Sequence, residues 1–260
     1  MKSSLLPFLL LLAVLQPFSV QSQKAVREYY DLTIYHFKDA AQEQILDRYL
    51  KEALLPALHR RQIRSVGAFK HHSNDTTADK RLYVLIPVKS PDAAHALRGA
   101  IATDPGYLRS GQAYLQAPHH SPAYVRMENI QLYAFPLAPR MSLPDLKGDR
   151  RKRIYELRSY ESATENLHVN KVAMFNEGGE IDFFKRLEFN ATFYAQVIAG
   201  PRMPNLMYMT TFEDMPDRNA HWKTFMTHPF WKELSSKPEY QNNVNKVDID
   251  FLYPTEYSDY

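Results

Sequence analysis

The densest concentration of chemical potential in the chain is Asn176-Glu177-Gly178-Gly179-Glu180, where two carboxylates flank a pair of glycines. Glycine lets the backbone turn and bare its amides, so this segment can present Glu177 and Glu180 as an acid/base pair with Asn176 beside them to hold a polar ligand. A structural reading stands next to it: the glycines interrupt a helix, and Glu180 is the first-turn acid of the next one. Arg202 lies between Pro201 and Pro204 in a turn ahead of a strand. That setting can hold its planar fork of donors rigidly toward an anion, or pair it with Glu177 or Glu180. Asn205 either binds a ligand or caps the same turn. His59, followed by Arg60 and Arg61 at the end of a helical stretch, suits the negative end of the helix dipole, with ligand binding as its second reading.

Other chemistry finds little material. His36, His168 and His221 have no partner at metal spacing, and His-Glu-x-x-His does not occur, so no metal site is expected. Gly-x-Ser-x-Gly, Gly-x-x-x-x-Gly-Lys and Gly-x-Gly-x-x-Gly are all absent, and there are only 8 glycines. The absence of cysteine removes thiolate nucleophiles, thiolate metal sites and disulfides. No cofactor is predicted; haem is left open, with a histidine as its one available axial ligand. A net charge of +3, from 32 basic and 29 acidic residues, argues against a nucleic-acid partner.

The elements that must position these residues come in two copies. Tyr30-Asp31-Leu32-Thr33-Ile34-Tyr35 matches Tyr155-Glu156-Leu157-Arg158-Ser159-Tyr160 at an offset of 125. Leu82-Tyr83-Val84-Leu85 matches Leu206-Met207-Tyr208-Met209, and Asp104-Pro105-Gly106-Tyr107 matches His228-Pro229-Phe230-Trp231, both at an offset of 124. Three blocks in one order mark a tandem repeat. Each copy reads strand, helix, two strands, helix, strand: strands at 29–36, 65–70, 81–89 and 126–135, then at 153–160, 191–199, 205–212 and 244–253. The first helix of copy one carries Leu46, Leu50, Leu54 and Leu58 after Asp39; its counterpart in copy two breaks at Gly178-Gly179. Ser90-Pro91-Asp92 and Asp214-Met215-Pro216 open the second helices.

This order is the ferredoxin-like βαββαβ arrangement, an α+β class. The third strand of each copy is apolar on both faces, whereas a sheet with one wet face should alternate. The second face must therefore be covered, most simply by the other copy, so that both share one barrel-like core. The predicted boundaries are a first unit at 27–136, a proline-containing linker at 137–152 and a second unit at 153–258. Ahead of them, Lys2, the apolar run Leu5 to Val14 and the small-residue site Val20-Gln21-Ser22 make residues 1–22 a signal peptide, and the expected location is outside the cytoplasm, periplasmic or extracellular. No later segment is apolar enough to span a membrane.

Four blocks resemble the NIPSNAP family. Arg27-Glu28-Tyr29-Tyr30 and Leu54-Leu55-Pro56-Ala57-Leu58-His59-Arg60 resemble its first unit; Met174-Phe175-Asn176-Glu177-Gly178-Gly179-Glu180-Ile181 and Gly200-Pro201-Arg202-Met203-Pro204-Asn205-Leu206 resemble its second. The resemblance implies a dimeric α/β-barrel fold, in which ferredoxin-like units pair sheet to sheet; that fold hosts oxygenases, haem enzymes and stress-response proteins, so it leaves function open. The first functional expectation is an exported module that is structural or binds a small organic ligand, with self-association compatible with it. The alternative is a small oxygenase- or isomerase-type enzyme with Glu177 or Glu180 as acid/base and Arg202 as anion clamp, which requires Glu177, Glu180 and Arg202 to converge on one water-accessible cavity, with His59 as an optional fourth member.

Overall fold

The computed structural model describes residues 25–260; the proposed signal peptide lies outside them. The first unit contributes β1 (Tyr29–Phe37), β2 (Gly67–His71), β3 (Lys80–Val88) and β4 (Arg126–Ala134), and the second β5 (Ile154–Glu161), β6 (Phe193–Ala199), β7 (Asn205–Phe212) and β8 (Lys246–Pro254). Within each unit the spatial order is that of an antiparallel ferredoxin-like sheet, β4-β1-β3-β2 and β8-β5-β7-β6. The free edges then find each other: β2 pairs with β8 and β4 with β6, closing eight strands into one barrel. Closure leaves no strand edge without a partner ladder, which an open sheet of this hydrophobicity could not achieve alone.

The doubly apolar third strands behave as their composition requires. Tyr83, Leu85, Met207 and Met209 point into the barrel and join Tyr30, Leu32, Phe69, Tyr155, Leu157 and Phe193 in its interior. Leu82 and Val84, and Leu206 and Tyr208, point outward under the helices of their own units. Asp39, Ser90, Thr164 and Asp214 each cap a helix by accepting a hydrogen bond from the backbone amide three residues on.

Two helical details bear on the candidate residues. In copy one the leucine-striped helix is continuous from Ala40 to Arg60 but widens into a π-helical turn over Tyr49–Leu54, which keeps Leu46, Leu50 and Leu58 buried. In copy two helix Glu165–Asn176 stops, Gly179 adopts φ 82° and helix Glu180–Arg186 starts anew. Only glycine takes that left-handed conformation cheaply.

One end of the barrel is stoppered. Tyr260 packs its ring against Phe69 and Tyr155 at centroid distances of 5.2 and 6.0 Å, and Leu146 joins the same interior. The segment 137–152 runs across this end, held by backbone bonds such as Ser142 N to Thr192 O at 2.9 Å and by Glu213, which accepts from the amides of Lys147 and Gly148.

Candidate functional site

At the other end the inward rows change character. Strand alternation sends every second side chain inward. On β1 the row Tyr30, Leu32, Ile34 ends in His36; on β3 Leu85 and Tyr83 lead to Arg81; on β4 Leu132 and Ile130 lead to Glu128; on β8 Leu252 leads to Asp250. These strand ends meet around an open mouth of about 250 Å³, with Ile34, Ile130, Val197 and Met207 as its floor and charged side chains as its rim.

The rim is a ring of ion pairs. His36, its side chain only 5% exposed, places Nδ1 2.7 Å from Asp79 Oδ1 and Nε2 3.1 Å from Glu128 Oε1. An imidazolium, with a proton on each nitrogen, satisfies both carboxylates at once. Arg126 also pairs with Glu128. Across the mouth, Asp250 accepts from Arg81 Nη1 and from the Tyr83 hydroxyl, both at 3.0 Å, and lies 3.4 Å from His71 Nε2. Burial alone would push the Asp250 carboxyl up; the His71 hydrogen bond, the charges of Arg81 and His71 and the Tyr83 hydroxyl outweigh it and hold the group below the usual carboxylate range.

Two of the six candidate residues reach this mouth. Arg202 hangs over the rim from the β6–β7 turn and pairs with Asp248, with Glu161 3.6 Å away, so its partners are neither Glu177 nor Glu180. Asn205 opens β7, is buried, and donates from Nδ2 to Ser159 Oγ at 2.8 Å. Asn205 is among the residues that line the mouth, and its Oδ1 is buried with no hydrogen-bond partner among the described residues.

The other four lie elsewhere. Glu180 is buried under the helices of the second unit, in an ion pair of 3.0 Å with Lys171. Glu177 is the exposed C-cap of helix Glu165–Asn176. Asn176 spends its side chain on backbone, accepting from Leu137 N and donating to Val172 O. His59 binds Asp259 Oδ2 at 3.0 Å, and the same carboxylate oxygen accepts from Val66 N, tying the chain's last residues to the first unit. The convergence of Glu177, Glu180, Arg202 and His59 that the enzyme reading required is not found. The residues it lacked, His36, Asp79, Arg81, Glu128 and Asp250, carried a sequence signal in the strand phase: each except Asp79, which sits in the turn before β3, continues an inward apolar row with a polar residue.

A second polar cluster sits on the outer face of the second unit. Glu156 has no exposed surface; Arg218 Nε and Nη2 approach its two oxygens at 2.8 Å, Trp222 Nε1 donates at 2.7 Å and Arg158 Nε at 2.7 Å. Burial pushes its carboxyl up, but the Arg218 hydrogen bond and the charges of Arg158 and Arg218 win and hold it down. With every lone pair engaged, this cluster has nothing left for a ligand.

Among the described residues, no group of three or more His, Asp or Glu side chains is arranged to hold a metal ion, and no helix is long and apolar enough to cross a membrane. An axial haem bond from His36 would have to displace one of its two carboxylates.

No curated protein matches this sequence. Among solved structures, a "putative monooxygenase" from Lactobacillus acidophilus NCFM is similar in fold, with a TM-score of 0.55 at 11% identity over 88% of this chain and 94% of that one. A second protein so described, from Fusobacterium nucleatum, gives 0.53 at 8% identity over 88% and 93%. A NIPSNAP-like domain protein of Burkholderia xenovorans is 21% identical over 41% of this chain and 89% of that one, with a TM-score of 0.38. The family model described as NIPSNAP matches residues 155–259, the span of the second barrel unit from β5 to the last residues.

Proposed function

We propose that this protein is a small-molecule-binding barrel whose ligand enters the open mouth and donates a hydrogen bond to Asn205 Oδ1. That buried, unpartnered oxygen carries the reading. A buried acceptor left unmade costs about 1–3 kcal/mol, and a ligand hydroxyl or amine at the floor would recover it. The rim acids and bases are already paired with each other, so the mouth favours a neutral or zwitterionic polar molecule over a strongly charged one. Native mass spectrometry of protein purified from its own source is expected to show a retained species that Asn205→Leu releases. A wild-type mass equal to the polypeptide alone, or an adduct equally retained by the variant, overturns the reading.

His36 favours a second reading, general acid–base chemistry at the same mouth. A ring held between two carboxylates beside a water-accessible cavity can pass a proton to a bound substrate. An oxygenase reaction, suggested by the description of the two fold neighbours, belongs here as well and is tested by oxygen consumption on the retained compound. His36→Gln should then abolish turnover while leaving the bound species in place. Export rests on the N-terminal pattern of Lys2 and Leu5 to Val14; N-terminal sequencing should find mature protein beginning near residue 23, and an intact Met1 would refute it.

A further inference from the structure

The two units are repeats, yet they differ in the space between sheet and helices. In the second unit Arg158 reaches out from β5 and its guanidinium stacks 3.8 Å from the Trp222 ring, above Glu156. The repeat offsets put Thr33 at the place of Arg158, Arg98 at that of Trp222 and Asp31 at that of Glu156. The acid–arginine contact is kept, since Arg98 Nη2 bonds Asp31 Oδ2 at 2.6 Å. The filling is not. A threonine stands where the second unit has a guanidinium, and Arg98 lies half in solvent. A cavity of about 290 Å³ opens there, between the outer face of β1 and β4 and helix Pro91–Ala102.

Its lining is unlike that of the mouth. Leu97, Ile101 and Ile86 supply apolar walls, and Tyr49, Tyr107 and Tyr114 close the far side. Tyr49 and Tyr107 hydroxyls lie 3.0 Å apart and share one hydrogen bond, which leaves one hydroxyl hydrogen of the pair without an acceptor in it. Burial pushes the Tyr49 and Tyr114 phenols well up, so they stay neutral donors. The one cation at the entrance, Arg98, is matched by Asp31 and also bonded to Asn129 Oδ1 at 2.9 Å, so the site offers an ion no net charge.

We propose that this cavity is a second binding site, for an uncharged, planar, mainly apolar organic molecule whose carbonyl or ether oxygen accepts a hydrogen bond from the tyrosine pair. The tyrosine walls match a flat ring, and the volume admits a bicyclic compound. The site is separate from the barrel mouth, shares no lining residue with it and does not depend on what binds there.

Prodan, a neutral planar naphthalene carrying a ketone, is the probe, followed by the blue shift of its emission. The full chain should bind it saturably, one to one. Leu97→Trp, which puts an indole into the cavity from its helix wall, should weaken binding by at least about ten-fold. Tyr107→Phe, which removes a hydroxyl with little change of shape, should weaken it by about three- to ten-fold and keeps the test valid should the tryptophan variant misfold. Asn205→Leu at the barrel mouth should leave Prodan affinity unchanged. Absence of saturable binding, unchanged affinity in both cavity variants, or loss of binding in Asn205→Leu would overturn the proposal.

Discussion

Glu156 shows how much a single residue can hold. Its carboxylate takes hydrogen bonds from Arg158, Arg218 and Trp222 with no surface exposed. Glu156→Gln leaves two arginines without their counter-charge, and the expected loss is about 3–5 kcal/mol in urea unfolding. The acid part of the pH dependence follows from carboxylates held below their ordinary range, Glu156 and Asp250 in buried clusters and Asp104 and Glu213 nearer the surface. A lowered folded-state value means that the unfolded chain takes up protons first as pH falls. Their contribution is therefore complete above the unfolded values, about pH 4, and is lost as pH drops through the lower folded values. The urea midpoint should begin to fall below about pH 6.5, where His72 and His168, held down by burial, are protonated first in the unfolded chain, and should fall further below about pH 4, the second step being less steep in Glu156→Gln. Glu180→Gln breaks a buried pair with Lys171 and should destabilise without altering ligand retention, because it lies outside the barrel mouth. A retained adduct lost in Glu180→Gln would return that residue to the binding site.

At the scale of elements, the glycine pair after helix Glu165–Asn176 makes a sharp case. A Cβ on Gly179 would meet only Phe230 Cζ at 3.5 Å, an ordinary contact, while the backbone sits at φ 82°. Gly179→Ala should thus cost about 1–2 kcal/mol through left-handed backbone strain alone, measured by urea unfolding. A neutral result would mean that the helix junction relaxes into another conformation. The break also explains why Glu177 and Glu180, three residues apart, end in different surroundings: one finishes a helix in solvent, the other begins a helix that turns back over Lys171.

For the molecule as a whole, the barrel interior belongs to neither unit. Splitting the chain would expose Tyr30, Leu32, Tyr83 and Leu85 on one sheet and Tyr155, Leu157, Met207 and Met209 on the other, together with the edges of β2, β4, β6 and β8. Residues 25–136 and 153–260, expressed separately and mixed, should recombine one to one in size-exclusion chromatography, and neither should persist alone as a folded monomer. A stable monomeric half would show that the sheet faces do not need each other.

The order of strands and helices in each unit, the helix caps and the need to cover both faces of the third strands were legible in the amino-acid sequence. Those are properties of contiguous residues: alternation, leucine spacing, glycine and proline placement. Strand phase even carried the inward turn of His36, Arg81, Glu128 and Asp250. Which side chains meet is set by the folded chain. His36 finds Asp79 and Glu128 across 43 and 92 residues, Arg202 finds Asp248 across 46, and Asn205 is left with an unpaired oxygen. Those pairings follow from ladders within each sheet, β1 with β3 and β4 and β5 with β7 and β8, whereas Arg81 and Tyr83 meet Asp250 only because the β2–β8 ladder joins the two sheets. Local periodicity fixes the face a residue occupies, but closure of the barrel fixes what stands opposite it.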